Sequence, residues 1–439
     1  MNCGSYQICK HYPKNVIYEK RTDIGAEVQK MRFYLQTARW CCRHCGNIQT
    51  TTNEPNTLIK HPGFCSCKFR DWELDLKNSD LVEEDEKIES PLFQQGKLNI
   101  FVDYVKLAEM FQEKAPFFYD KSRIWWIWEE ETKSWKINDE TDIINSMNST
   151  VNGLFLFKQQ TKTEIINALK MQGRKKTPET IPKTWVQFLD KITDVKTGKM
   201  FEANSKYFIT NPLPWKIGET EETPVIDKLF HDWVEEKYIP TLYEILAFSI
   251  LPDYPLHRVF CLNGSGRNGK GSFLNILTKF IGNENICSTD FDLLTSGRFE
   301  SAKLYKKLVC LMGEINSSIF KRTALFKKLT GGDMIGFELK GRDSFDDFNY
   351  AKLIIATNKL PEPADKTIGF FSRWLIIDFN NIFEEKSGLI ETIPEKEFEN
   401  LAKKSIRILS ELLEKNKFSN DGNYEDREQR YEERSSPLR

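Results

Sequence analysis

From residue 259 onward, short apolar runs recur at 259–262, 308–312, 353–356 and 374–379. None alternates with polar positions, so each predicts a strand covered on both faces. Helical patterns separate the first three; Phe273, Leu274, Ile276 and Leu277 form one such stripe. That alternation predicts an α/β sheet with mainly parallel central strands. Upstream, Val225, Leu229, Trp233, Tyr238, Leu242, Ile245, Leu246 and Phe248 predict helix over 222–250. The run Ile124-Trp125-Trp126-Ile127-Trp128, a polar turn at 129–133, and Trp135 with Ile137 predict an aromatic hairpin. Before it come a strand-like run at 98–102 and a short helix through Leu107 and Phe111. Residues 166–220 read as helix, then loop, with a basic patch at Arg174-Lys175-Lys176. Phe398, Leu401, Ala402, Ile406, Leu409 and Leu413 place one apolar stripe on a last helix. The polar tail from Asn420 is expected to be mobile.

Between the run at 259–262 and its following helix lies Gly264-Ser265-Gly266-Arg267-Asn268-Gly269-Lys270-Gly271-Ser272. Strand, glycine-rich loop and helix in that order fit G-x-x-x-x-G-K, the phosphate-cradling P-loop. Glycines let successive backbone N–H groups turn toward an anion, and the helix adds its positive end. Gly264, Gly266, Asn268, Gly269, Lys270, Gly271 and Ser272 are the expected phosphate-binding residues, with Lys270 reaching the β- and γ-phosphates. The residue after the lysine is Gly271 rather than Ser or Thr, so Ser272 becomes the candidate Mg²⁺ ligand. A chance glycine-rich turn is the competing reading; the flanking strand and helix argue against it.

The later strands end on polar residues. After 308–312 comes Gly313-Glu314, a carboxylate placed to hold Mg²⁺ or polarise water. The run 353–356 leads through Thr357 to Asn358, whose amide could orient water against a γ-phosphate. Asn358-Lys359-Leu360-Pro361 has proline where a GTPase would carry its guanine-reading carboxylate, which argues against GTP. Arg373 precedes the last strand, where an arginine could reach the transferring phosphoryl group of a neighbouring subunit.

Composition narrows the partners. The 439 residues suffice for two or three domains. With 63 Lys and Arg against 64 Asp and Glu, any nucleic-acid contact must come from local patches. No apolar stretch is long enough for a membrane span, and no signal region opens the chain, which therefore reads as intracellular. Seven of the ten cysteines lie in the first 67 residues. Clustering of this kind favours metal over disulfides. Cys42-Arg43-His44-Cys45-Gly46 is a zinc half-site, and Cys65-Ser66-Cys67 offers a second pair. Cys41, His44, His61, Cys3 or Cys9 could substitute for one of the four.

These motifs, in this order, resemble the superfamily 3 helicase domain, the AAA+-type ring helicases of small viruses, phages and plasmids. The phage and plasmid primase–helicases related to the poxvirus primase–helicase are the most similar. Their Asn-Gly-Lys matches Asn268-Gly269-Lys270, and their Leu-Thr-Gly-Gly-Asp matches Leu329-Thr330-Gly331-Gly332-Asp333. Their Ala-Thr-Asn with Leu-Pro matches Ala356-Thr357-Asn358 and Leu360-Pro361; their single glutamate matches Glu314, and their arginine Arg373. The resemblance spans about 100–430 and is specific within 240–380. Two departures stand out: Arg373 is followed by Trp374 where many relatives have a second arginine, and the small module that relatives carry past a Ser-Ser-Pro stretch, here Ser435-Ser436-Pro437, is expected to be missing or to belong elsewhere.

The resemblance implies an ATP- and Mg²⁺-dependent, ring-forming DNA helicase of a replicon. It implies a homo-hexamer moving 3′ to 5′ on single-stranded or forked DNA, with primase or polymerase on a separate chain or domain. Lys270, Glu314, Asn358 and Arg373 would be catalytic. Lys340 and Arg342, at the turn of a hairpin between the second and third strands, would touch DNA. The 31–35 run and Cys-x-x-Cys-Gly are similar to the zinc-bearing OB-fold of minichromosome maintenance helicases, which implies a DNA-guiding collar. The expected organisation is a zinc-binding β domain with an acidic linker (1–97) and a helical and hairpin module (98–220). The ATPase domain (221–385) and a C-terminal helix with its tail (386–439) follow. Competing readings are a replication initiator or loader that does not unwind, and a non-catalytic zinc DNA-binding module.

Overall fold

The computed structural model describes residues 104–150, 159–189, 191–297, 299–314, 323–340, 342–363, 365–384 and 388–435. Before 104 it describes the strand segments given below, with Cys45 and Asn47. The chain divides into two compact units, 1–116 with 139–175, and 117–138 with 176–439. The division runs through the 98–220 segment.

In the first unit, the long strand Gln29–Cys42 is the spine of a five-stranded antiparallel sheet. Tyr18–Thr22 and Asp80–Glu83 pair with its first half, and Ile48–Thr52 and Trp72–Leu74 with its second. A register shift between Leu35 and Thr37 separates the halves, as a β-bulge does when it bends a strand. The unit also holds the hairpin Phe93–Gly96 with Asn99–Val102 and the helices Tyr104–Lys114, Glu140–Thr150 and Gln159–Lys175. Gln172 donates to Gln112 Oε1 at 3.0 Å, joining the first and last of these helices.

The second unit holds the P-loop. Its elements from there onward are β1 (Val259–Asn263), α1 (Lys270–Ile281), β2 (Ile286–Ser288) and α2 (Phe291–Ser296). Then come β3 (Val309–Met312), α3 (Thr323–Thr330), the hairpin β4 (Met334–Phe337) and β5 (Phe345–Phe348), and β6 (Lys352–Thr357). α4 (Ile368–Phe371), β7 (Trp374–Asp378), α5 (Glu395–Lys415) and α6 (Tyr424–Ser435) complete the chain. β2, β3, β6, β1 and β7, in that order, form one wholly parallel sheet. The four apolar runs are thus strands, as expected, and the three-residue edge strand β2 is an addition the pattern did not signal.

Burial on both faces explains the unbroken apolar runs. Phe260, Leu262, Ile354, Leu375 and Ile377 join Phe273, Ile276 and Leu277 of α1, the helices Pro224–Trp233 and Ile239–Ser249, and α5. Their sequence neighbours Val259, Cys261, Leu353, Ile355, Trp374 and Ile376 join the second core with Trp126, Trp128 and Trp135. Those tryptophans lie on the expected hairpin, Trp125–Glu129 with Ser134–Asn138, to which Phe117–Tyr119 adds a third strand. Buried indoles need acceptors. Trp126 donates to Asp120 Oδ2 at 2.8 Å, and Trp135 to the Tyr207 carbonyl at 2.9 Å.

The segment expected as a mobile tail contains α6. Tyr431 is fully buried, its ring 5.0 Å from Trp374, 5.5 Å from Phe370 and 5.6 Å from Phe371. Arg434 makes a two-pronged pair with Asp378, at 2.9 and 2.6 Å. One aromatic anchor and the ion pairs of its arginines with Asp378 and Asp421 seat a helix whose composition is otherwise that of a solvated segment. Among the described residues, no helix is long and apolar enough to cross a membrane.

Candidate functional site

The carboxyl ends of β1, β3, β6 and β7 share one edge of the sheet. From β1 the chain leaves toward β2, whereas from β6 it passes over β1 to reach β7. Open α/β sheets bind ligands at such a reversal, outside the carboxyl ends. The glycine-rich loop lies there.

Close packing fixes the loop. The Gly264 N–H donates to the Thr357 carbonyl at 3.2 Å. A Cβ at 264 would stand 2.0 Å from Asn268 Nδ2 and 2.5 Å from the Phe379 carbonyl oxygen. That amide nitrogen itself donates to Phe379 at 2.9 Å, which stitches the loop to the segment after β7. Gly269 has φ +92°, and a Cβ there would stand 2.5 Å from the Trp233 ring. Only glycine meets both demands.

Lys270 opens α1, and its side chain points back along the loop. Nζ donates to the Gly264 carbonyl, to Asn268 Oδ1 at 3.0 Å and to Asn358 Oδ1 at 3.4 Å. None of these acceptors is a carboxylate. Burial pulls the ammonium below its ordinary pKa, against the pull of Cys261 and Glu314. Asn358 in turn donates from Nδ2 to Glu314 Oε1 at 2.8 Å. Lys270, Asn358 and Glu314, expected from three separate strand ends, form one connected chain.

This chain borders a cleft of about 770 Å³ lined by Gly266, Arg267, Gly269, Ser272, Trp233 and Phe383, among others. The residues fit a nucleotide polyphosphate. A Cβ on Gly271 would meet nothing within 4 Å, so the space above the α1 N-terminus is open. Loop amides, helix end and ammonium supply anion recognition. The Ser272 hydroxyl and the exposed Glu314 carboxylate are oxygen donors of the kind Mg²⁺ takes.

Arg373 lies at the other end of the sheet. Val259 pairs with Trp374, so Arg373 precedes the amino end of β7. Its Nε donates to Thr330 Oγ1 at 2.8 Å, and its guanidinium also reaches the Gly369 and Lys327 carbonyls. Desolvation lowers its pKa, while Asp333 acts the other way. The structure therefore does not bring Arg373 to the P-loop of its own chain.

Lys340 is exposed beyond β4, and Arg342 lies before β5. Arg342 Nη2 donates to the Asn138 carbonyl at 3.4 Å, and Asp343 pairs with Arg123 at 2.8 Å. The turn is thereby braced against the aromatic hairpin. Cys42 is buried and Cys45 exposed on the turn after Gln29–Cys42, which the Cys42 N–H closes onto the Asn47 carbonyl at 2.8 Å. Cys65 and Cys67 lie outside the described residues. No group of three or more metal-ligating side chains occurs among the described residues.

Sequence reading missed Trp233 beneath Gly269, and Arg430 and Arg434 at the end of β7. Arg430 reaches Asp378 at 3.3 Å, and Asp378 accepts from Asn263 at 3.1 Å, immediately before the loop. An aspartate closing an otherwise apolar strand was the available signal.

The pattern of a family of unknown function (DUF5906) matches residues 262–373, from the end of β1 to Arg373. No curated protein matches the chain in sequence. Among solved structures, the apo structure of NrS-1 C terminal region (305-718) is similar at 14% identity with a TM-score of 0.52. The match covers 78% of this chain and 76% of that one. The chain shares that fold. The A form apo structure of NrS-1 C terminal region-CTR has 16% identity and a TM-score of 0.48, over 72% of this chain and 75% of that one.

Proposed function

We propose that the chain is an ATP-hydrolysing ring motor that moves along single-stranded DNA during replication of a virus, phage or plasmid. One observation carries the reading: the candidate phosphate-binding residues and the candidate finger arginine occupy opposite ends of one sheet. Lys270, Asn358 and Glu314 stand at the carboxyl end, and Arg373 at the amino end. Copies arranged head to tail would bring one end to the other, as heterologous contacts in rings do. In that arrangement Lys270 and the loop amides hold the phosphates, and Ser272 with Glu314 holds Mg²⁺. Glu314 accepts a proton from water, Asn358 positions it, and the neighbour's Arg373 steadies the developing charge. Bound nucleotide would draw Lys270 away from Asn358, so occupancy and the Glu314 contact are linked.

Lys340 and Arg342 are assigned to DNA, with a hexamer as ring size and 3′ to 5′ movement on single-stranded or forked DNA. A separate primase or polymerase would be a partner. The five-stranded antiparallel sheet and the Cys42–Cys45 turn support an OB-like, zinc-bearing collar, with Cys65 and Cys67 completing a Zn²⁺ site.

Strand displacement on a forked duplex with ATP and Mg²⁺ tests the reading. Wild type should unwind, and Lys270→Ala should neither unwind nor hydrolyse ATP. ATP turnover without unwinding on any fork would favour the loader instead.

A further inference from the structure

The edge of the parallel sheet carries a pair of cysteines that the phosphate site does not use. Cys287 on β2 and Cys310 on β3 are register partners on adjacent parallel strands. Both pack in the second core, so they share one face of the sheet. Neighbouring strands run about 4.8 Å apart, inside the roughly 4.4–6.8 Å that the Cα atoms of a disulfide span. Both are free thiols, and the two interact directly.

The thiols differ as the two members of a redox pair do. Cys310 is fully buried, whereas Cys287 is half-buried on the edge strand of the sheet. The Cys310 S–H donates to the Cys287 sulfur, which holds the Cys287 thiol below its ordinary pKa. Burial opposes this, Lys307 and Lys303 assist it, and Glu300 opposes it. The same hydrogen bond and burial push the Cys310 thiol up. The Cys287 S–H, when present, donates only to the Val309 carbonyl at 3.6 Å. Cys287 therefore supplies the attacking thiolate, and Cys310 the resolving thiol.

We propose that Cys287 and Cys310 form a reversible redox site, oxidised by a peroxide, that slows ATP turnover when its disulfide closes. The Cys287 thiolate attacks one oxygen of hydrogen peroxide, the O–O bond breaks, and Cys287 becomes a sulfenic acid. The hydroxide released takes up the proton that Cys287 gave. The Cys310 sulfur then attacks the Cys287 sulfur, the S–O bond breaks, and a second water leaves with the Cys310 proton. Two thiols are oxidised to one disulfide, and one peroxide is reduced to two waters. The bond draws the Cβ atoms to about 3.5–4.5 Å, and the three-residue β2 is the element that gives. β2 leads to Thr289, whose N–H donates to the Leu311 carbonyl at 3.3 Å, and then to Asp290. Asp290, Met312, Gly313 and Glu314 line one small hollow. Closing the bond thus moves Asp290 against the carboxylate assigned to activate water. This effect on turnover rests on the motor reading; the bond itself does not.

Peptide mapping after alkylation tests the bond on the full wild-type chain treated with hydrogen peroxide. The peptides holding Cys287 and Cys310 should be joined, lighter by two hydrogens, and separated again by dithiothreitol. In Cys310→Ser, oxidation should stop at a Cys287 sulfenic acid that dimedone captures; wild-type mapping reports even if that variant fails to fold. Both thiols left open to alkylation, or Cys287 carried to sulfinic acid without a bond, overturns the proposal. ATP turnover is read on the same samples. A severalfold fall that dithiothreitol restores and Cys287→Ser lacks supports the switch, since the other cysteines are common to both chains. An equal fall in Cys287→Ser, or turnover unmoved once the bond has formed, overturns it. A reduced wild type that forms the bond but never hydrolyses ATP sinks the motor and leaves the redox site.

Discussion

Separation of Lys270 from Arg373 leads to a mixing experiment. Val259 lies opposite Trp374, so Arg373 is level with residue 258, six positions before Gly264. At about 3.3 Å per residue, roughly 20 Å of sheet intervenes. The Arg373 guanidinium is also held by Thr330, Gly369 and Lys327 on its own side. Arg373→Ala should therefore leave nucleotide binding intact and lower turnover by about 10³-fold or more, the usual worth of an arginine finger. Lys270→Ala should abolish hydrolysis from the other half of the site. Rings assembled from equal amounts of the two inactive chains recreate some complete sites. Each needs a P-loop from an Arg373→Ala copy beside an Arg373 from a Lys270→Ala copy. Random order makes about one interface in four complete, so roughly a quarter of wild-type turnover should return. The assay is steady-state phosphate release after subunit exchange, with light scattering to confirm rings. Near wild-type turnover by Arg373→Ala, or a mixture no faster than its components in exchanged rings, would refute the shared site.

Four further outcomes follow from particular contacts. Gly269→Ala forces a side chain into φ +92° and against Trp233; it should cost of order 1–3 kcal/mol and weaken ATP binding, read by thermal melting with and without nucleotide. Tyr431→Ala empties the space beside Trp374 and should lower stability by about 3–5 kcal/mol in urea unfolding; wild-type stability would mean that α6 is not docked. Lys340→Ala should remove the stimulation of ATP turnover by single-stranded DNA; undiminished stimulation reassigns the hairpin. Lys352 is fully buried, donates to the Leu251 carbonyl, and burial lowers its pKa to about 7. Between that value and the unfolded lysine's, the unfolded chain holds the extra proton, so stability rises with pH, by up to about 1.4 kcal/mol per unit. Lys352→Met should flatten that rise in melts from pH 7 to 10; an unchanged slope places its origin elsewhere.

The strands of the parallel sheet were legible because burial on both faces leaves runs such as 259–262 and 353–356 without polar positions. The loop was legible because Gly-Lys between a strand and a helix is a local signal. Glu314 and Asn358 were readable as strand ends, although their hydrogen bond was not, since it joins residues 44 positions apart. What escaped depends on distant partners. Nothing near Gly269 announces Trp233, and nothing in the charged α6 sequence announces that Tyr431 will be fully buried. The three-residue β2 is too short to carry a period.

α6 is fastened twice. Tyr431 and Arg434 hold the peptide just past Asn358, through the Pro361 carbonyl at 3.0 Å and the Leu360 N–H at 3.3 Å, and Arg434 grips Asp378 at the tip of β7. β6 and β7 flank β1 on either side. A load on this one helix thus reaches both neighbours of the strand that carries the phosphate loop, and a tug from outside could be felt as a change in how tightly that loop is gripped.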